Sequence, residues 1–218
     1  CDSSYTWAKK FKQLMGQETP SAMADKIVNC MRNDSNPEGK FIHPVSKQHQ
    51  HLCFTGGEPL MATGQQATVG IYNTLKEQDN LPGSMTFETN GTQILRQPFI
   101  DWVNEIDTEV FFSCSPKLFT VSGEKTEKAI KPDIVAEYYK LSKAGQLKFV
   151  VGPLQREWDE MEEAIEKFRS AGVEWPVWVM PTGAREEEQT ATAGDVAQKA
   201  FQRGYNVAAR VHVYLFGN

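Results

Sequence analysis

His51-Leu52-Cys53-Phe54-Thr55-Gly56-Gly57-Glu58-Pro59 is the stretch from which the fold is read. Leu52 to Thr55 are apolar or β-forming, and two glycines, a carboxylate and a proline follow at once. The pattern predicts a buried strand that ends in a turn with open backbone. The paired glycines remove two Cβ atoms, Pro59 fixes the exit, and Glu58 leaves one negative acceptor for whatever docks. In parallel α/β sheets, ligands sit at that end of the strands.

Downstream the same unit recurs. Ala67, Ile71 and Leu75 predict an amphipathic helix over about 63–78, stopped by Pro82-Gly83. Ser84 to Glu88 is the next strand and ends in Glu88-Thr89-Asn90-Gly91; Glu109 to Cys114 is a third, ending at Ser115-Pro116-Lys117. Between them, Phe99, Trp102, Val103 and Ile106 indicate a short helix, whereas residues 119–131 read as a solvated loop. Pro132 opens a helix striped by Ile134, Val135, Tyr138 and Leu141, with Gly145 as its stop. Gln146 to Val151 is a fourth strand, and Trp158, Met161, Ile165 and Phe168 line a helix that stops at Gly172. A fifth strand, Pro176 to Met180, ends at Pro181-Thr182-Gly183, and Glu186-Glu187-Glu188 reads as an exposed loop. Val196, Ala197, Ala200 and Phe201 give another helix, and Val207 to Phe216 a last strand. Unbroken alternation from residue 51 implies parallel pairing with right-handed crossovers, hence an α/β open or partial β/α barrel of mostly parallel strands.

Upstream, residues 8–18 are polar and Lys-rich, Thr19-Pro20 starts a helix over about 20–32, and the segment to Gln50 reads as an irregular surface excursion. At 218 residues the chain suits one domain, with the 8–50 region as an insertion. Net charge is -5, from Lys+Arg 23 against Asp+Glu 28 spread along the sequence, so no basic stripe points to nucleic acid or a membrane surface. No apolar run approaches the roughly 20 residues of a membrane helix, and the expectation is a soluble intracellular protein with a small-molecule partner. Cysteines at 1, 30, 53 and 114 show no regular spacing, which argues for thiols rather than a disulfide framework. Cys30, Cys53 and Cys114 are expected in the core, while Cys1, followed by polar residues, suits a metal-bound thiolate.

Position carries the functional information. Gly56-Gly57-Glu58, Glu88 to Gly91, Ser115-Pro116-Lys117 and Met180-Pro181-Thr182 all fall at strand C-termini and are expected on one rim. Two carboxylates, a cation and open backbone suit a zwitterionic ligand with hydroxyls. Each motif alone is an ordinary turn; four together favour a site. No GxGxxG opens the first helix and no GxxxxGK[ST] is present, which leaves dinucleotide and P-loop readings with little support. His49 and His51 alternate and would share one strand face, a conceivable metal site, but a His-x-His pair without a placed third ligand is more often surface or core histidine; His212 lies in the expected last strand, where it meets a ligand or simply bonds a neighbour.

Cys1-Asp2-Ser3 with Tyr5-Thr6-Trp7, Thr55-Gly56-Gly57-Glu58-Pro59, Glu88-Thr89-Asn90-Gly91-Thr92, Ser115-Pro116-Lys117 and the ending His212-x-Tyr214-Leu215-Phe216-Gly217-Asn218 resemble the radical S-adenosylmethionine (SAM) superfamily. The GGEP turn carries the superfamily likeness; Ser-Pro-Lys and the terminal Gly-Asn narrow it to the 7-carboxy-7-deazaguanine synthase family. That resemblance implies a partial barrel with a [4Fe-4S] cluster on three cysteines, the last of them Cys1, leaving one iron open to SAM. It implies a 5'-deoxyadenosyl radical, a 6-carboxy-5,6,7,8-tetrahydropterin substrate and ring contraction with loss of ammonia, on the route to queuosine-type bases. It further implies Mg2+, a reducing partner such as a flavodoxin, a homodimer and a cytoplasmic location.

Carried over residue by residue, Cys1 corresponds to a cluster ligand, Ser3 to a Mg2+ hydroxyl ligand and Thr55 to a substrate contact. Asp2, Gly57, Ser115, Pro116, Lys117 and the patch Met180, Pro181, Thr182 and Gly183 correspond to SAM contacts. Glu58 and Glu88 join them on rim position and chemistry rather than on resemblance. The resemblance implies two further cluster cysteines and a first strand before Cys1 and an extension beyond Asn218, which leaves an excerpt of an enzyme or an inactive remnant; the intact downstream rim motifs favour the excerpt. The alternatives are another radical SAM enzyme with the same turn, such as a glycyl-radical activating enzyme, and a β/α binding module without a cluster.

Overall fold

The computed structural model describes Gly16 and residues 18–183 and 185–216. Thr19 starts the first helix as its hydroxyl dictates: Oγ1 accepts from Ala22 N at 3.2 Å, Pro20 takes the first helical position, and α1 runs Pro20–Met31. Then come β1 (His51–Phe54), α2 (Ala62–Glu77), β2 (Ser84–Thr89), α3 (Gln97–Glu105) and β3 (Glu109–Cys114). Two one-turn helices, α4 (Phe119–Ser122) and α5 (Thr126–Ala129), precede α6 (Pro132–Leu141), β4 (Gly145–Val151), α7 (Gln155–Ser170) and β5 (Val177–Pro181). The chain continues through α8 (Glu186–Gln202), β6 (Asn206–Val207) and α9 (Val211–Phe216).

Among the described residues the strands form one sheet in the order β1-β2-β3-β4-β5-β6, so spatial order follows chain order. The pairs β1–β2, β3–β4, β4–β5 and β5–β6 are parallel. Such an order is what successive right-handed β-α-β crossovers in one direction produce, and β1 and β6 are the edges among the described residues. This is the open, partial β/α barrel that the alternation predicts.

Two compact units make up the chain. One holds the described residues up to Glu88 together with Ile94–Phe111. Its core packs Ala24, Val28, Phe41, Ile71 and Leu75 against Leu52, Phe54 and Leu81. Phe54 stacks on Phe87 with centroids 5.1 Å apart, and Phe87, Phe99 and Trp102 continue edge-on and tilted contacts. The other unit comprises Thr89–Gln93 and the described residues from Phe112 onward. There Phe112 stacks on Tyr138 at 5.2 Å and meets Trp175 at 6.0 Å, while Trp158, Met161 and Phe168 of α7 are fully buried. The expected stripe of α7 is thus its core face.

Several expectations need correction. β1 is half exposed rather than buried, because it is an edge strand paired only with β2 among the described residues, and Cys53 is exposed with it. Cys30 is exposed too: at about 100° per residue it lies about 200° around α1 from the buried Val28. Gly145 does not stop α6, which ends at Leu141; it opens β4 where the Trp175 ring fills the space of a side chain, 2.4 Å from an added Cβ. Residues 119–131 contain α4 and α5 and bury Ala129 and Ile130. Glu186, Glu187 and Glu188 form the first turn of α8, where carboxylates meet the positive end of the helix.

The region to Gln50 is anchored rather than loose. Asn80, 6% exposed, accepts from Phe41 N at 2.9 Å and donates to Gly39 O at 3.0 Å, which draws Phe41 into the core. At the other end, β6 covers only Asn206–Val207 and the expected strand to Phe216 is replaced by α9. A short apolar run such as Val211 to Phe216 has no periodicity that separates strand from helix.

Candidate functional site

In the first unit, parallel β1 and β2 pair Phe54 with Phe87, so the residues that follow stand side by side. Thr55 Oγ1 accordingly donates to Glu88 Oε2 at 3.0 Å. Gly56 and Gly57, which follow Thr55 directly, both adopt left-handed backbone, φ 77° and 58°, which a Cβ would strain. Glu58 closes the turn: its Oε1 accepts from Leu60 N at 3.1 Å and its carbonyl from Met61 N at 3.3 Å. Gln65 was not singled out by the sequence reading. Only 2% exposed, it donates through Nε2 to Leu60 O and Ile94 O and accepts at Oε1 from Arg96 N at 2.8 Å, tying the turn after β1 to the entry of α3. The signal that could have found it is its place on the buried stripe with Thr68, Ile71 and Leu75.

In the second unit, Ser115 N donates to Thr89 O at 2.7 Å, and Thr89 Oγ1 accepts from Gly91 N at 3.1 Å. Asn90 Oδ1 takes Thr92 N at 3.0 Å and Thr92 Oγ1 at 2.6 Å, so this turn is rigidly cross-bonded. Pro116 and Leu118 are buried on either side of the half-buried Lys117. After β4, Gly152 N donates to Glu157 Oε2 at 2.7 Å and Gly152 O accepts from Trp158 Nε1 at 3.0 Å. The next turn is joined to it, since Thr182 N donates to Val151 O at 2.9 Å. Gln189 is fully buried and donates to both Pro181 O at 3.0 Å and Gly183 O at 2.8 Å, while its Oε1 has no partner among the described residues. Neither Glu157 nor Gln189 was expected; each is a polar residue on the buried face of its helix, beside Met161 and Ile165 in α7 and Val196 and Ala200 in α8.

Thr55, Gly57, Glu58 and Glu88 are therefore gathered at one end of β1 and β2. Ser115, Pro116 and Lys117 follow β3 directly, and Met180, Pro181, Thr182 and Gly183 lie at the end of β5 with Met180 and Thr182 half-buried. Cys1, Asp2 and Ser3 lie outside the described residues, as do Gly217 and Asn218. Among the described residues no group of three or more His, Cys, Asp or Glu side chains could hold a metal ion. His49 lies before β1 in an isolated bridge with Ile42, and His212 lies on α9 instead of a strand. No helix among the described residues is long and apolar enough to cross a membrane.

Fold and turns together define an α/β protein with an open parallel sheet and polar turns at its strand ends. The chain is similar to the 7-carboxy-7-deazaguanine synthase of Rhodopirellula baltica, 27% identical over 179 residues that cover 78% of this chain and 62% of that protein. It thus spans less than two thirds of that relative's length. No protein-family model matches the chain.

Proposed function

We propose that this chain is part of a radical SAM lyase that converts 6-carboxy-5,6,7,8-tetrahydropterin to 7-carboxy-7-deazaguanine with loss of ammonia, in the biosynthesis of queuosine-type bases. The observation that carries the reading is the Thr55-Gly56-Gly57-Glu58 turn with its hydroxyl bonded to Glu88, taken with the similarity to a synthase of that name. Substrate and product differ by one ammonia, so the conversion needs no net oxidant. When bound, the [4Fe-4S] cluster and SAM supply the hydrogen-abstracting radical.

The chain's own residues bind and orient. Cys1 ligates the cluster, and Ser3 offers Mg2+ a hydroxyl oxygen of the kind that ion accepts. Thr55 contacts the pterin. The left-handed Gly57 exposes main-chain polar groups to the SAM methionyl end, where Glu58 and Glu88 accept from its ammonium or from the ribose hydroxyls. Asp2 supplements them. Ser115, Pro116 and Lys117 take the SAM carboxylate and ribose, and the rigid strand-end turn Met180, Pro181, Thr182 and Gly183, held by Gln189, receives the adenine. The fit of these residues to a sulfonium nucleoside is chemical: carboxylate acceptors, one lysine cation and glycine-opened backbone. A reducing partner such as a flavodoxin, a homodimer and a cytoplasmic location complete the reading.

Anaerobic reconstitution of the full-length protein with iron and sulfide tests it. A brown protein that cleaves SAM, and a Cys1→Ala variant that stays colourless, are expected. A colourless full-length protein would sink the radical SAM reading and favour a binding module. Cleavage of SAM without any turnover of the pterin would point to another member of the superfamily.

A further inference from the structure

Immediately after Ser115-Pro116-Lys117 the chain enters the one-turn helix α4, whose first amides have no partners within so short a helix. One carboxylate takes them. Glu160 of α7 accepts from Phe119 N at 2.7 Å through Oε1, and from Thr120 N at 2.9 Å and Thr120 Oγ1 at 2.6 Å through Oε2. The other end of the run is fixed by Ser115 N on Thr89 O at 2.7 Å, and Pro116 and Leu118 are buried between the two anchors. Lys117, half-buried, lies between the two anchors. We infer that Glu160 is a positioning residue: it clamps the far end of the Ser115-Pro116-Lys117 run and so sets the presentation of Lys117 to SAM. This rests on the reading of that run as a SAM contact.

Three features favour a positioning role over plain helix packing. Both carboxylate oxygens are used, which fixes the side chain about two axes rather than one. All three donors belong to Phe119 and Thr120, two consecutive residues at the start of α4, so the clamp grips the end of the loop. Glutamine in place of Glu160 can accept through only one oxygen and brings an NH2 against a backbone N–H, so an isosteric change must release at least one amide.

Two readouts separate the inference from the functional reading beneath it. Hydrogen exchange of the peptide 118–122 in ligand-free protein is expected to quicken by about tenfold to a hundredfold in Glu160→Gln, the loss that charge-assisted hydrogen bonds of this kind imply. The SAM dissociation constant of the reconstituted full-length protein is expected to rise about tenfold. Thr120→Val, which removes only the hydroxyl donor, should show a smaller change in the same two quantities. Glu162→Gln serves as the comparison on the same helix, because Glu162 pairs with Arg203 at 2.9 Å and touches none of the loop; it should leave both readouts unchanged. Faster exchange with unaltered SAM affinity in Glu160→Gln would overturn the inference, as would unaltered exchange. A wild-type protein that binds no SAM at all would instead remove the functional reading, and the inference with it.

Discussion

Glu88→Gln tests the chemistry of the β1–β2 end in isolation. Glu88 is half-buried, and its Oε2 accepts from Thr55 Oγ1 at 3.0 Å. Glutamine keeps an acceptor for that hydroxyl but makes the bond a neutral one, so the pair survives and stability should fall by no more than about 1–2 kcal/mol. What vanishes is the charge. A hydrogen bond to a carboxylate contributes about 1.5–3 kcal/mol and one to a neutral amide about 0.5–1.5 kcal/mol. The difference of about 1–2 kcal/mol predicts a SAM dissociation constant raised about 5- to 30-fold. Calorimetric titration of SAM into reconstituted wild-type and variant protein, with a thermal melt of each, reads both quantities. An unchanged dissociation constant would refute the assignment of Glu88 to SAM. A loss of more than about 2 kcal/mol in stability would make the residue structural instead.

Other expectations follow from the packing. Gly145→Ala places a methyl group 2.4 Å from the Trp175 ring and should cost about 1–3 kcal/mol in a denaturant titration; a neutral result would show that the ring moves aside freely. Gln189→Leu strips donors from Pro181 O and Gly183 O and should destabilise by about 1–3 kcal/mol, with faster hydrogen exchange in residues 181–190. Burial raises the phenol of Tyr205 above its ordinary value of 10.0, and the Glu162 carboxylate adds to the shift. The folded state therefore prefers the neutral phenol, so that stabilisation is present below pH 10.0 and is lost as pH rises through the folded value. Melting temperature should fall less steeply above pH 10.0 in Tyr205→Phe than in wild type.

The parallel architecture was legible because hydrophobic periodicity alternates cleanly: Trp158, Met161, Ile165 and Phe168 recur on one face of α7, and the sheet order follows from right-handed crossovers. The Thr55–Glu88 contact was half legible. Both residues could be placed at strand ends, but the hydrogen bond depends on the register that pairs Phe54 with Phe87. Cys30 and Cys53 misled because apolar character says nothing about which side of an edge strand or short helix is covered. Gly145 misled because a glycine that admits a tryptophan ring looks, in one dimension, like one that stops a helix. Gln65, Glu157, Glu160 and Gln189 were missed for a shared reason. Each is a polar residue of an amphipathic helix; position on the buried stripe could have marked Gln65, Glu157 and Gln189 as covered, but which loop each one holds follows only from three-dimensional contact.

The central claim is tested most directly by anaerobic incubation of the reconstituted full-length protein with SAM, a reductant and 6-carboxy-5,6,7,8-tetrahydropterin, with products identified by mass. One equivalent each of 7-carboxy-7-deazaguanine and ammonia per pterin consumed is the predicted result. Unchanged pterin in the presence of a formed cluster and bound SAM would contradict the account.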